Sequence, residues 1–236
     1  MIDFLQNLQT EEHNFQEAFV SKRHPKVKAS QIPTSKDITG IEVRLSDVVI
    51  IDNKTPKVFP FPGLAKVYFI NMILSDVGTT PITIDLNGFE KVDDNYKLSL
   101  DRTLFSWKQK ANSTAEGPSQ IHVFSSLIKS KQSLRDVAKI MADVKADKKF
   151  QGLADELATL LKKAGTVTNI SSLVFELAGI VGGFLGKVED KPLLTWVQSF
   201  TDLNGDFDVL GKTAKSAENK FASMKLSITI RDKGKN

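Results

Sequence analysis

Near its carboxyl end the chain reads Met224, Lys225, Leu226, Ser227, Ile228, Thr229, Ile230, Arg231, apolar and polar in strict alternation. That is the two-residue period of a strand with one buried face. A single strand leaves its backbone donors and acceptors unpaired, so this ribbon must join a sheet. Most of the remaining strand-like sequence lies far upstream, beyond a long helical region. The two ends of the fold therefore have to meet in space around an inserted helical block.

Between Gly40 and Trp107 the pattern supplies partners. Ile41, Val43 and Leu45 alternate with Glu42 and Arg44, and the apolar run Val48 to Ile51 follows, which predicts one bent strand or two in succession. Pro56, Pro60, Pro62 and Gly63 break the chain. The β-branched and aromatic stretch from Lys66 to Leu74 predicts a central strand. Ile82, Ile84 and Leu86 predict another, followed by a turn at Asn87 and Gly88. Tyr96, Leu98 and Leu100 predict a further strand, and Leu104 to Trp107 a short one. Strands joined by polar turns, with no crossover helices between them, point to an antiparallel β-sandwich, α+β in class once the helices are added.

After a polar loop over 109–120 the period becomes helical, and a helical insertion is expected over about 122–190, before the last strands. Ser133 and Asp136 resemble a capping box ahead of the stripe Leu134, Val137, Ile140, Met141 and Val144. A second stripe runs through Phe150, Leu153, Leu157, Leu160 and Leu161, and a third helix is predicted from about Ile170 to Val188. Leu193 to Phe200 predicts a strand, followed by an acidic loop and a polar Lys/Ala/Ser stretch. No internal repeat is present.

Residues 1–37 read as an arm outside a main domain over 38–236. Ile2, Leu5, Leu8, Phe15, Ala18 and Phe19 predict a short amphipathic helix or two, and Lys22, Arg23, His24, Lys26 and Lys28 form a basic linker. Those cations suit phosphates, but no aromatic residues are interleaved for stacking, so a solvated linker is expected and nucleic acid is not an expected partner. The first residues lack a basic start and a long apolar run, so cytoplasmic residence is expected, with signal-independent export as the alternative.

Hydrophobic residues make up 41% and charged residues 25%, enough for a core, and 15 Phe against 2 Tyr and 2 Trp favour apolar filling. With no cysteine, disulfides, thiolate metal sites and a cysteine nucleophile are excluded. His13, His24 and His122 are scattered, and no serine elbow, Walker loop, zinc-helix motif or dinucleotide fingerprint occurs. His13 and Glu17 lie one helical turn apart and read as an exposed pair. Asp47, Asp52, Asp76 and Asp85 read as turn formers. No catalytic residue and no cofactor is assigned, leaving only a hydrolase with carboxylates brought together by folding.

Two segments carry other chemistry. Ile170 to Gly186 is apolar nearly all round, with Ala178, Gly182 and Gly186, and Gly179 and Gly183, spaced four apart. Small-residue stripes let another backbone approach, as in membrane helices. A buried helix is the expected state, because the run is short of the ~20 residues a spanning helix needs and contains Glu176. The alternative is a pore former or effector that inserts it, with Phe175, Gly179, Gly183 and Phe184 as contact residues. The loop Asp202, Asn204, Asp206, Asp208 places oxygens at alternate positions, as calcium loops do, but Phe207 stands where the turn glycine belongs and Thr213 where the bidentate acid belongs. A self-capped turn is expected there, with a calcium site as the alternative to which Asp93 and Asp94 would contribute if the loops share an end.

The layout, a sandwich interrupted by helices and closed by its last strand, is similar to C2-like, lectin-like and adhesion-type sandwiches, a resemblance that implies a fold and fixes no function. The expected role is a non-enzymatic binding module that engages a protein partner or a second copy through its loops or helical insertion.

Overall fold

The computed structural model describes residues 2–10, 38–61, 63–77, 82–110, 115–130, 137–162, 171–185, 190–202 and 204–232. The strands are β1 (Leu8–Thr10), β2 (Ile38–Ile50), β3 (Ala65–Ser75), β4 (Ile82–Val92), β5 (Tyr96–Lys97), β6 (Arg102–Lys108), β7 (Gln120–Ser130), β8 (Lys191–Thr201), β9 (Gly211–Glu218) and β10 (Ala222–Asp232). The helices are α1 (Val137–Ala146), α2 (Lys148–Lys162) and α3 (Ser171–Leu185). The class is α+β.

The carboxyl-terminal ribbon forms β10 and pairs antiparallel with β2, which brings the two ends of the fold together. Its other edge pairs with β9. Strands β5 and β6 lie one after the other along the far edge of β2, completing one five-stranded sheet. The second sheet has the order β1-β8-β7-β3-β4, antiparallel except for β1, which runs parallel to β8.

Alternation decides what each face meets. Val43, Leu45, Leu226 and Ile228 of the β2/β10 sheet share one core with Val67, Phe69, Val123, Leu127 and Phe200 of the second sheet. The opposite face of the second sheet, with Tyr68, Ile70, Met72 and Phe124, is covered by α2 and α3. The layers are therefore helices, sheet, sheet. Strand β2 keeps Ile41 to Ile50 in register with its buried face through a bulge, where Asp47 takes φ 51° and the pairing with β10 shifts.

Several expectations are corrected. Residues 2–10 are not helical: Ile2 and Phe4 are buried, Leu5 is exposed, and Leu8–Thr10 is strand. An isolated short helix is marginal in water, and the open edge of β8 offers backbone partners instead. Gly182 leaves the space this needs, since a Cβ there would stand 3.0 Å from Phe4. The remainder of the arm over 11–37, with His13, Glu17 and the basic run, lies outside the described residues, as does the capping box at Ser133 and Asp136.

Asn87 and Gly88 sit inside β4 opposite Phe69 and Tyr68 rather than in a turn. Asp85 is likewise within the strand, where its carboxylate pairs with Arg102 at 2.9 Å. The strand expected over 96–100 shortens to Tyr96–Lys97, although Leu98 and Leu100 are buried. The helical insertion does not begin near 122, because Gln120–Ser130 is the central strand of the second sheet. The polar stretch before the last strand is β9, an edge strand.

Candidate functional site

The glycine-rich helix is placed by its own apolar face. Val174, Leu177, Ala178 and Val181 of α3 are buried against the second sheet, and Phe175 meets the Phe124 ring edge-on at 6.0 Å. Gly179 and Gly183 face open space, Phe184 is partly exposed, and Glu176 pairs with Lys149 of α2 at 2.9 Å. One small-residue stripe thus receives the chain's own amino-terminal segment at Gly182. Among the described residues no helix is long and apolar enough to cross a membrane.

The acidic loop closes on itself. Asp206 Oδ2 accepts from the Thr201 amide at 2.9 Å, its Oδ1 meets Lys215 Nζ at 3.2 Å, and the Gly205 and Asp208 amides donate to carbonyls within the loop. The Asn204 amide donates to Thr201 Oγ1 at 3.1 Å. Asp93 and Asp94 stand at the other end of the second sheet: Val92 pairs with Ala65, whereas Thr201 pairs with Gln120. Ten strand residues separate those ends, roughly 30 Å at ~3.3 Å per residue. Among the described residues no group of three His, Cys, Asp or Glu side chains converges to hold a metal.

His122 lies on β7 beneath the helices. Gln120 Nε2 donates to the Leu161 carbonyl at 2.8 Å, which leaves Gln120 Oε1 to accept from His122 Nε2–H at 3.2 Å. His122 Nδ1 then accepts from the Ser199 hydroxyl at 2.8 Å. Burial pushes the imidazole down to about 4, against a smaller opposing effect of Asp76, so the ring is neutral near pH 7. Asp76 itself accepts from the Ser119 and Gln120 amides and does not touch the imidazole, so serine, histidine and carboxylate form no relay.

The outer face of the β2/β10 sheet is polar, and its carboxylates are paired. Arg44 grips Asp101 through Nε at 2.6 Å and a second nitrogen at 3.0 Å, Glu42 meets Arg231 at 3.3 Å, and Lys97 pairs with Asp47. The Arg44 guanidinium holds the Asp101 carboxyl below its ordinary range, and Lys97 does the same for Asp47.

The feature sequence reasoning missed is the β2–β3 loop. Val58, Phe59, Phe61 and Leu64 are 61%, 98%, 71% and 40% exposed, an apolar tip projecting from one end of the two sheets. Phe61 N donates to the Val58 carbonyl at 2.6 Å, and the Phe59–Pro60 peptide is cis. Below the tip the loop is built, not loose. Asn53, fully buried, donates from Nδ2 to the Gly63 and Val92 carbonyls, both at 2.9 Å, and accepts from the Thr55 amide at 2.7 Å. Its own amide donates to Asp94 Oδ1, while Lys57 pairs with Asp93 at 2.8 Å and Asp94 at 3.0 Å. These partners hold both carboxyls below their ordinary range. Gly63 has φ 73°, and a Cβ there would lie 2.6 Å from Lys57 Cγ. The sequence signal was available as Phe59 and Phe61 alternating with Pro60 and Pro62. The prolines read as a break, and nothing local says that the phenylalanines point outward.

Replacing Asn53 strips three backbone groups of their partner. Asn53→Ala is expected to cost about 2 kcal/mol, since each unsatisfied buried group costs ~1–3 kcal/mol and water reaches some of them. Chemical denaturation reads that loss, and limited trypsin digestion should shift to Lys54 and Lys57; unchanged stability and cleavage would show that the base does not hold the loop.

No protein-family model matches the chain, and no curated protein sequence matches it.

Proposed function

We propose that the protein is a non-enzymatic binding module, a β-sandwich in the C2-like manner of layout, whose contact surface is the aromatic tip of the β2–β3 loop. The observation that carries this reading is the combination of a nearly fully exposed Phe59 and exposed Phe61 with a buried, fully hydrogen-bonded Asn53 at their base. Large aromatic side chains left in water lose the stabilisation of burial, roughly 1.5–3 kcal/mol each, which a partner would restore. A pre-ordered loop also loses little conformational freedom on docking, so that gain goes to affinity. Loops at the end of a rigid two-sheet scaffold are where recognition is placed most readily.

The alternative that α3 enters lipid draws no support from its packing, because insertion would strip four buried side chains from the second sheet. The test is site-specific photo-crosslinking in the native cells. Benzoylphenylalanine in place of Phe59 should yield lipid or protein adducts that the same probe in place of the exposed Thr83, at the other end of β4, does not. No adduct, or equal adducts at both positions, would overturn the reading.

A further inference from the structure

The aromatic tip does not stand alone. Lys54, at its base, holds its ammonium 3.6 Å from the centre of the Phe221 ring, and Lys220 holds its own 4.9 Å from the same ring. Lys129 donates to the Lys54 carbonyl at 2.7 Å, and Lys129 and Lys191 are directly paired across β7 and β8. Four lysines thus gather at the end of the two sheets from which Phe59 projects, with Lys191 and Lys220 exposed.

Like charges brought this close repel, and of the acids beside them only Asp52 offsets part of the charge on Lys54. Asp190, the neighbour of Lys191 in sequence, is buried and accepts from the Tyr68 hydroxyl at 3.1 Å. Asp93 and Asp94 are taken by Lys57, and Asp52 Oδ1 accepts from the Lys54 amide at 2.7 Å. Among the described residues no carboxylate forms an ion pair with Lys54, Lys191 or Lys220. The Lys54 ammonium is held below its ordinary range, first by burial and then by Lys191 and Lys220. An anion placed here would relieve that repulsion.

Resting on the reading of the loop as a contact surface, we propose that this end docks on an anionic lipid surface, with Phe59 and Phe61 in the interface and the lysines over the headgroups. The charge favours an anionic lipid surface over a protein. The exposed aromatic tip is flanked by lysines drawn from separate segments, and a fluid anionic leaflet meets such a spread of apolar and cationic groups without needing a matching pocket. Phenylalanine side chains bury at the boundary between headgroups and acyl chains, and lysines near an anionic leaflet add attraction within a Debye length.

The experiment is co-sedimentation of the full chain with phosphatidylcholine vesicles, with and without phosphatidylserine. Binding is expected only where phosphatidylserine is present, and it should weaken as salt is added. Phe59→Ser with Phe61→Ser should lower binding at least about ten-fold, and Lys191→Gln and Lys220→Gln about five-fold each. All these side chains are exposed, so an unchanged thermal midpoint verifies that the variants fold. Equal binding to both vesicles, no binding to either, or full binding by the Phe variant would overturn the inference. Protein adducts at position 59 together with no vesicle binding would sink the lipid assignment while leaving the loop as the contact surface; absence of any adduct would sink both.

Discussion

A chain truncated before Ala222 is expected to lose its cooperative unfolding transition, measured by calorimetry or near-ultraviolet circular dichroism. Strand β10 is central, hydrogen-bonded to β2 on one side and β9 on the other. Met224, Leu226, Ile228 and Ile230 are buried in the shared core. Side chains of this kind contribute roughly 1.5–3 kcal/mol each on burial. Together they rival the whole ~5–15 kcal/mol by which a domain is stable. Truncation also exposes the inner face of the second sheet and leaves two new edges ready to aggregate. A truncated chain that still melted cooperatively would mean that the second sheet and its helices fold without the first.

The second expected result is a fall in stability between pH 6.5 and pH 4 that traces to one residue. His122 is buried neutral, its imidazole pushed down to about 4 from 6.5. Below pH 6.5 the unfolded chain takes up a proton that the native state refuses, so stability drops as pH falls and levels off once the native imidazole also titrates. At about 1.4 kcal/mol for each pH unit between those values, the loss is roughly 3 kcal/mol. The surface carboxyls held low by Lys57, Lys97 and Arg44 act in a different window: their contribution is lost only as pH falls below the ordinary carboxylate range. Urea denaturation across pH separates the two. His122→Gln, less stable at neutral pH for want of the Ser199 contact, should show a much flatter profile from pH 6.5 to 4. An equally steep profile in the variant would assign the acid loss to other groups.

Strand β10 and His122 also mark how far the sequence could be read. Strand β10 was legible because only one of its faces is buried, so alternation is written into it; β2 was legible for the same reason. Strand β7, which carries His122, was not. It is buried on both faces, Ile121, Val123 and Leu127 toward the first sheet and Phe124 and Ile128 toward the helices. Its buried polar residues His122, Ser125 and Ser126 find partners across strands, which no local pattern encodes. Strand β9 failed for the opposite reason: as an edge strand it buries only Ala217, so its Lys, Thr and Ser residues look like a loop. At the amino terminus a helical spacing was present, yet sheet edge and Gly182 gap won.

The candidate contact surface divides in the same way. The prolines around Phe59 and Phe61 announced a turn, but burial, not composition, separates a core phenylalanine from an exposed one, and 15 of them look alike in sequence. Likewise Lys54, Lys129, Lys191 and Lys220 are scattered along the chain and become neighbours only because β2, β7, β8 and β10 begin or end on one side of the molecule. By itself the sequence determined a chain with no thiol chemistry, a β-rich class, three helical stripes and a last strand that had to find partners far away, because periodicity and composition act locally. Tertiary structure alone decided which strands are central, which aromatic residues stand in water and which cations converge, because each depends on contacts between segments that the linear order keeps apart.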